Sequence, residues 1–280
     1  MNECTVCGGV SNGPYYAGLL KCQTCGHVFA DLDLTEEELS ALYGRNYFFG
    51  DEYSDYLADK EVLQKNFRLR LRILERFLEH KRHRHLIEIG CAYGFFLDSA
   101  RDRFATVQGI DIAQDGVEHA RRQLGLNVDH GDILKHDFAD QKFDVVCMWD
   151  TIEHLAHPHR YLEKIAGITE PGALLAITTG DMKSFNARLK KEKWRQIHPP
   201  SHLHYFSKET LTRFLDRQGF EILYDKYCGF YRSFDNIAYN IFVLRKGLPR
   251  LYGFLKKTRL TELKVYLNLY DILFIIARKR

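Results

Sequence analysis

The stretch Leu86-Ile87-Glu88-Ile89-Gly90-Cys91-Ala92-Tyr93-Gly94-Phe95-Phe96-Leu97 decides the fold. A short apolar run ends in Gly-x-small-x-Gly, which lets the backbone turn sharply at Gly90 and approach a ligand closely at Gly94. A dinucleotide fingerprint places glycines at 90, 92 and 95, whereas Ala92 and Phe95 stand here, so the pyrophosphate reading loses two of its three positions. Working outward, the runs His85–Gly90, Thr106–Ile112, Val128–Ile133, Phe143–Asp150, Ala173–Thr179 and Phe220–Tyr227 alternate with helical segments. Strands alternating with helices predict an α/β fold with a doubly wound, mostly parallel sheet. Ligands of such sheets sit beyond the carboxyl ends of the strands. The second strand closes as Gly109-Ile110-Asp111-Ile112, twenty-one residues past Gly90, where a carboxylate can accept both hydroxyls of a ribose. The third closes as Gly131-Asp132-Ile133, which adds a carboxylate where an adenine amino group would lie.

Upstream, Lys60 to about His83 places Leu63, Phe67, Leu71, Leu74 and Leu78 at helical spacing, a surface helix with one buried stripe. Before it, Thr35-Glu36-Glu37-Glu38 opens a short helix with a capping box. Tyr43, Tyr47, Phe48, Phe49, Tyr53 and Tyr56 then crowd a loop, which reads either as an aromatic lid or as a satellite core. At the N-terminus, Cys4-x-x-Cys7 and Cys22-x-x-Cys25 form two thiol pairs, each followed by a glycine. This is the spacing of a structural Cys4 zinc site in a ribbon of some thirty residues; His27 is a substitute ligand by position only. Domain boundaries expected on this basis are a ribbon over 1–30, a lid and leading helix over 31–84, and the α/β domain over 85–280.

The motifs EIGCAYG, GIDI, GDI, FDVVCMWDTIEHLAHP, PGALLAITT and HLHYFSKETLTRFLDRQGFEIL resemble the class I S-adenosylmethionine-dependent methyltransferases, especially their UbiG/UbiE-like small-molecule branch. The resemblance covers roughly Leu86 to Tyr227, with Asp271–Arg278 similar to a last strand. It implies a Rossmann-like sheet of order 3-2-1-4-5-7-6 with strand 7 antiparallel. It also implies that Glu88, Gly90 and Gly94 line the methionine end of S-adenosyl-L-methionine, with Ala92 among the cofactor-binding residues. Asp111 would then hold the ribose and Asp132 with Ile133 the adenine, with Ile112 and Trp149 as further cofactor-binding residues. Ala92 departs from the commoner glycine, but its methyl is small enough for binding to survive.

No Asn/Asp-Pro-Pro-Tyr motif and no Pro-Cys nucleophile follows the fourth strand. Instead comes Trp149-Asp150-Thr151-Ile152-Glu153-His154-Leu155, whose residues 150, 153 and 154 share a face if the turn is helical. Three readings stay open: Asp150, Glu153 and His154 ligate a divalent cation, as the resemblance suggests; His154 is a general base steered by Glu153; or these residues cap a helix and floor the pocket. His198-Pro199-Pro200-Ser201-His202-Leu203-His204 offers His202 or His204 as an alternative base, with no third metal ligand evident beside the HxH pair.

Composition narrows the partners. With 45% apolar and 28% charged residues over 280 positions, the chain is ordinary globular material, not disordered or fibrous. The formal charge of +3 excludes a polycation that coats nucleic acid, and Met1 to Ala30 carries only Lys21 as a base, a poor footprint for phosphate. An RNA methyltransferase using the ribbon is therefore the runner-up to a small-molecule or glycan O-methyltransferase, with a non-catalytic cofactor-binding scaffold third. Arg245 to Arg280 is +8, leaving −5 elsewhere, and its leucines make 245–270, within a basic helical insertion at about 230–270, a candidate peripheral membrane contact or a stripe packed on its own domain. No leader pattern and no apolar run of about 18 residues is seen, so the expectation is a cytoplasmic protein without disulfides.

Overall fold

A strand buried on both faces reads as an unbroken apolar run, and the segments that do so here form the centre of one sheet. The structure, a computed structural model, describes residues 3–32, Glu38, 56–258 and 263–280. Apart from Glu38 and Tyr56, the expected capped helix and the aromatic loop lie outside the described residues. The strands in chain order are β1 (Asn12–Pro14), β2 (Leu19–Cys22), β3 (Val28–Ala30), β4 (His85–Ile89), β5 (Thr106–Asp111), β6 (Asn127–His130) and β7 (Phe143–Trp149). They continue as β8 (Thr169–Gly180), β9 (His204–Tyr205), β10 (Phe220–Tyr227), β11 (Phe230–Ser233), β12 (Lys264–Leu267) and β13 (Ile272–Lys279).

Seven of them form one sheet in the order β10-β13-β8-β7-β4-β5-β6. The pairs β4–β5, β4–β7, β5–β6 and β7–β8 are parallel, and β13 runs antiparallel to both β8 and β10. This is the Rossmann-like methyltransferase sheet that the strand pattern and resemblance predict, with β13 as its antiparallel seventh strand. The period-2 pleat sends Ile87 and Ile89 to one face and Leu86 and Glu88 to the other. The first face packs with Leu162, Ile165, Leu211 and Phe214, the second with Phe67, Leu71, Phe96, Val117 and Ala120. Each leucine, isoleucine, valine or phenylalanine among them, fully buried, contributes about 1.5–3 kcal/mol.

The helices are α1 (Lys60–Leu74), α2 (Phe95–Ala100), α3 (Gln114–Leu124), α4 (Pro158–Gly167), α5 (Phe185–Lys190), α6 (Lys208–Arg217), α7 (Phe234–Ala238) and α8 (Pro249–Lys256). The leading α-helix ends at Leu74 and a 3-10 turn carries it on to Phe77, short of the expected His83. The His83 side chain accepts the Glu79 N–H at 2.8 Å and contacts the Gly172 carbonyl at 3.2 Å, so the chain turns there to feed β4. Along the 248–255 stripe, Leu248, Leu251 and the neighbouring Phe254 are 46%, 43% and 67% exposed, while Tyr252 and Leu255 are half-buried and the Tyr252 hydroxyl donates to Asp235 Oδ1 at 3.0 Å. Among the described residues no helix is long and apolar enough to cross a membrane.

The N-terminal strands do not close on themselves. They form a sheet of order β1-β2-β3-β9, in which Val28 pairs with Tyr205 and Phe29 with His204. The fourth strand of the N-terminal sheet therefore comes from the histidine loop that follows β8.

Candidate active site

The turn after β4 is built as its glycines require. Gly90 and Gly94 both stand at φ +76°, with Ala92 between them at +44°. A Cβ on Gly90 would come within 2.7 Å of the Thr151 side chain, and one on Gly94 within 2.8 Å of Leu126. Ala92 takes its left-handed backbone at a cost of about 1–2 kcal/mol, offset by Asp111. The Ala92 N–H donates to Asp111 Oδ2 at 2.6 Å and the Ala113 N–H to Oδ1 at 2.7 Å. Each carboxylate oxygen keeps a second lone pair for a hydroxyl donor. Burial raises the Asp111 pKa against the pull of these two amides.

Beside it Ile112 is 40% exposed, an apolar shelf at the sheet edge, while Ile133 is buried. Asp132 is more occupied than its motif suggests: Oδ1 accepts the Leu134 N–H and Oδ2 the Tyr161 hydroxyl, both at 2.9 Å. Glu88 is buried, and its Oε2 has no hydrogen-bond partner among the described residues. Burial, and then the charge of Asp111, hold its pKa well above the usual carboxylate range, with Arg70 opposing. An orphaned carboxyl oxygen beside a glycine turn suits a cationic amine, so these residues fit the methionine end of S-adenosylmethionine.

At the end of β7 the buried Trp149 meets Phe96 and Phe274 edge-on, at centroid distances of 5.1 and 5.4 Å. The Arg70 guanidinium from α1 lies 5.4 Å from its ring and donates to Asp150 Oδ2 at 2.7 Å. Asp150 Oδ1 accepts the Thr178 hydroxyl at 2.9 Å. Arg70 was missed in the sequence; its one signal was an arginine set between Phe67, Leu71 and Leu74 on the buried stripe.

The helical face expected for Asp150, Glu153 and His154 does not form. Asp150 sits at φ +50°, ahead of a 3-10 turn over Ile152–His154, and its carboxylate is committed to Arg70 and Thr178. In its place Glu153, His154 and His202 bring one ligand-capable atom each to within 4.8 Å of one another. The partners absent from the HxH reading thus come from the β7 loop. His154 Nδ1–H donates to the Ser201 carbonyl at 2.8 Å and His202 Nδ1–H to the Gln196 carbonyl at 2.9 Å. That tautomer leaves the His202 Nε2 with a lone pair, while the His154 ring is also held by the Asp150 backbone.

Burial lowers the His154 pKa to about 4 and that of His202 well below its ordinary value, and the neighbouring imidazoles add to both. His154 is therefore not tuned near neutrality. Burial and the Asp150 charge raise Glu153 to about 8, and its Oε2 has no hydrogen-bond partner among the described residues. A small cavity is lined by Glu153, Thr179, His202 and Trp194. His204 turns the other way: its Nε2 meets the Ala156 carbonyl at 3.4 Å and its Nδ1 meets His27 Nε2 at 3.0 Å. His27 is thus engaged with this loop and does not substitute for a thiol.

The four N-terminal sulfurs converge, with Cys4–Cys25 at 3.6 Å, Cys7–Cys22 at 3.5 Å and all four within 4.8 Å. A tetrahedron with zinc–sulfur bonds of about 2.3 Å has edges of about 3.8 Å, so the donor set fits zinc. Burial raises Cys22 too, but the Cys25 and Thr24 amides and thiol contacts outweigh it and bring it to about 7, while burial lifts Cys25 to about 11.

A family model described as a methyltransferase domain matches residues 60–225. The chain belongs to that family. The ubiquinone biosynthesis O-methyltransferase of Cereibacter sphaeroides is 31% identical over 130 residues, covering 44% of this chain and 53% of the relative. The chain spans about half the length of the curated relatives it matches. A SAM-dependent methyltransferase from Archaeoglobus fulgidus superposes with a TM-score of 0.54 at 18% identity, covering 80% of this chain and 99% of that one. The [4+2]-cyclase SpnF does so at 0.51 and 20%, covering 76% and 81%. At such identities the likeness shows the fold alone, and the cyclase shows that this fold hosts more than one chemistry. The matched methyltransferase region holds every strand-end residue discussed, Arg70 and the histidine loop; the thiol quartet and β11–β13 fall outside it.

Proposed function

We propose that the protein is an S-adenosylmethionine-dependent methyltransferase that methylates a hydroxyl of a small molecule or glycan. The observation that carries the hydroxyl assignment is the Glu153–His154–His202 cluster at the end of β7, beside the strand ends that fit the cofactor. When bound, the cofactor supplies an electrophilic methyl whose carbon–sulfur pair leaves with the sulfur. This chain then has three tasks. Glu88, Gly90, Gly94 and Asp111 hold the amino-acid and ribose ends, with Ile112, Asp132 and Ile133 along the adenine and Trp149 closing the wall. Arg70 fixes Asp150 and so the entry to the 3-10 turn. Glu153, whose raised pKa makes it the most basic group of the cluster when ionised, takes the acceptor proton directly or through a histidine Nε2. Much of the rate then comes from holding oxygen and methyl in line.

A second reading has its own observation. Two imidazoles kept neutral and oriented by backbone carbonyls, beside a carboxylate oxygen lacking a partner, form a donor set for a divalent cation. A cation there would lower the acceptor hydroxyl pKa. The exposed apolar stripe of α8, amid the basic 245–270 segment, supports a lipid-linked acceptor presented at a membrane surface. The ribbon, with Lys21 as its one base, gives no support to RNA. The test is calorimetric titration with S-adenosylhomocysteine beside NAD, followed by an acceptor screen with and without Mg²⁺ or Mn²⁺. Binding of neither nucleotide, or of NAD alone, would end the reading.

A further inference from the structure

The thiol quartet and the Glu153–His154–His202 cluster are far apart in sequence but linked through His27, whose carbonyl accepts the Cys22 N–H at 2.8 Å, and through the histidine loop. The Ala30 N–H donates to the Leu203 carbonyl at 2.8 Å, and the Leu203 N–H donates to the Glu153 carbonyl at 2.8 Å. One residue of the histidine loop thus hands the ribbon's last strand on to the β7 loop. Two residues beyond Cys25, His27 is fully buried, and its Nε2 lies 3.0 Å from His204 Nδ1. The Ala156 carbonyl accepts from His204 Nε2–H, so His204 Nδ1 must accept from His27. The Tyr205 hydroxyl donates to the His202 carbonyl at 2.9 Å. Rings continue the contact: His27 lies 4.8 Å from Phe206, which stacks on Phe214 of α6 at 6.0 Å. Cys4 and Cys22 belong to the same buried cluster as Ile152 and Phe206.

A ribbon serving only to tie down the N-terminus could rest on any surface. This one pairs with 203–205, and Leu203 and His204 in turn bond Glu153 and Ala156, so the segments that carry the whole cluster are linked to it. Among the described residues it makes no strand pairing with β4, β5 or β6, where the cofactor residues are proposed to lie.

We infer that the ribbon is part of the acceptor half of the active site, with His27 and His204 as positioning residues that couple an occupied Cys4/Cys7/Cys22/Cys25 site to the placement of Glu153, His154 and His202. The inference rests on the proposed methyltransferase reading for its functional meaning, and on the β3–β9 geometry for its physical content. A soft ion replaces the core that thirty residues cannot build, so its loss releases β3 from β9. The strand that aligns His204 then goes, and with it the Leu203 bridge to Glu153.

The test uses the full chain, loaded with ZnCl₂ or stripped with a chelator, its zinc content measured each time. Amide exchange read by mass spectrometry is expected to quicken at least tenfold in 153–156 and 202–206 on stripping, with 85–112 within twofold. S-adenosylhomocysteine affinity should stay within about threefold. Because stripping disturbs the whole ribbon, two variants isolate the histidine link. His204→Phe should keep its zinc yet show the faster exchange and shifted ring resonances of His154 and His202. His204→Gln, which offers a donor to Ala156 and an acceptor to His27, should restore both. Faster exchange confined to 3–30 would reduce the ribbon to a brace. Faster exchange in 85–112 with falling affinity would make it a global stabiliser. Native-like behaviour of His204→Phe, or no zinc uptake by the reduced chain, overturns the coupling as well. Failure of S-adenosylhomocysteine to bind the loaded protein overturns the cofactor reading instead, and leaves the exchange result legible.

Discussion

Glu153 makes folding stability depend on pH in a direction that can be worked out. Its pKa rises from 4.5 to about 8 on folding, mainly through burial and then through Asp150. Between those values the folded chain keeps a proton that the unfolded chain has lost, so stability falls as pH rises, by about 1.4 kcal/mol per pH unit. The stability is fully present below about pH 4.5, and roughly 5 kcal/mol is gone by pH 8 if Glu153 acts alone. The side chain is almost completely buried, so solvent screening takes little from this figure. Glu153→Gln cannot ionise and should remove that slope. Urea denaturation of both proteins, zinc-loaded and without any other added divalent cation, at pH 5, 6, 7 and 8 gives the two stability profiles; averaged over this range, the difference between them should grow by about 1 kcal/mol per pH unit. Parallel profiles would refute the assignment of a buried, proton-holding carboxyl. Repeating the series with Mn²⁺ separates the two chemical readings. A cation bound by Glu153, His154 and His202 would flatten the wild-type profile and add about 2.7 kcal/mol at a hundred times its Kd. No change with Mn²⁺ leaves proton acceptance by Glu153.

Asp111→Asn should weaken S-adenosylhomocysteine by tenfold or more in calorimetry, since hydrogen bonds to charged groups are worth about 1.5–3 kcal/mol; unchanged affinity removes Asp111 from the ribose. Gly90→Ala adds a Cβ 2.7 Å from Thr151 at φ +76°, so thermal melting should show a drop of several degrees, and an unchanged Tm would contradict the close approach. His154 and His204, both lowered to about 4, should show ring resonances that stay fixed from pH 5.5 to 8, and a midpoint near about 6.5 would show that they are not buried as described. Atomic absorption should find one zinc per chain, falling towards zero in Cys25→Ser; equal contents in the two proteins would dissociate zinc from the quartet.

The sheet was legible because its central strands are short, mostly apolar runs closed by a glycine or an acid, while its order came with the resemblance. The thiol spacing announced its convergence equally plainly, since local turns bring each pair together. What escaped the sequence depends on contacts without a local pattern. Nothing in His204-Tyr205 marks a two-residue strand, because its partner Val28-Phe29 lies about 175 residues upstream. Arg70 reaches Asp150 across 80 positions. A left-handed backbone at Asp150, a residue with a Cβ, is set by its surroundings, and that conformation is what separates Asp150 from Glu153 and His154.

The β3–β9 pairing also constrains how the chain is made. A ribosome adding about 5–20 residues per second delivers Tyr205 roughly 10 to 35 s after Val28. Throughout that interval the edge of β3 waits without its partner, since β9 has not been synthesised. An unpaired edge is a template for another chain, so a metal captured early by the thiols would limit such pairing by holding β1–β3 in one short folded ribbon until β9 arrives. Nascent chains halted before Pro200 and deprived of zinc are therefore expected to aggregate more than those supplied with it, and sedimentation of stalled ribosome complexes would show whether they do.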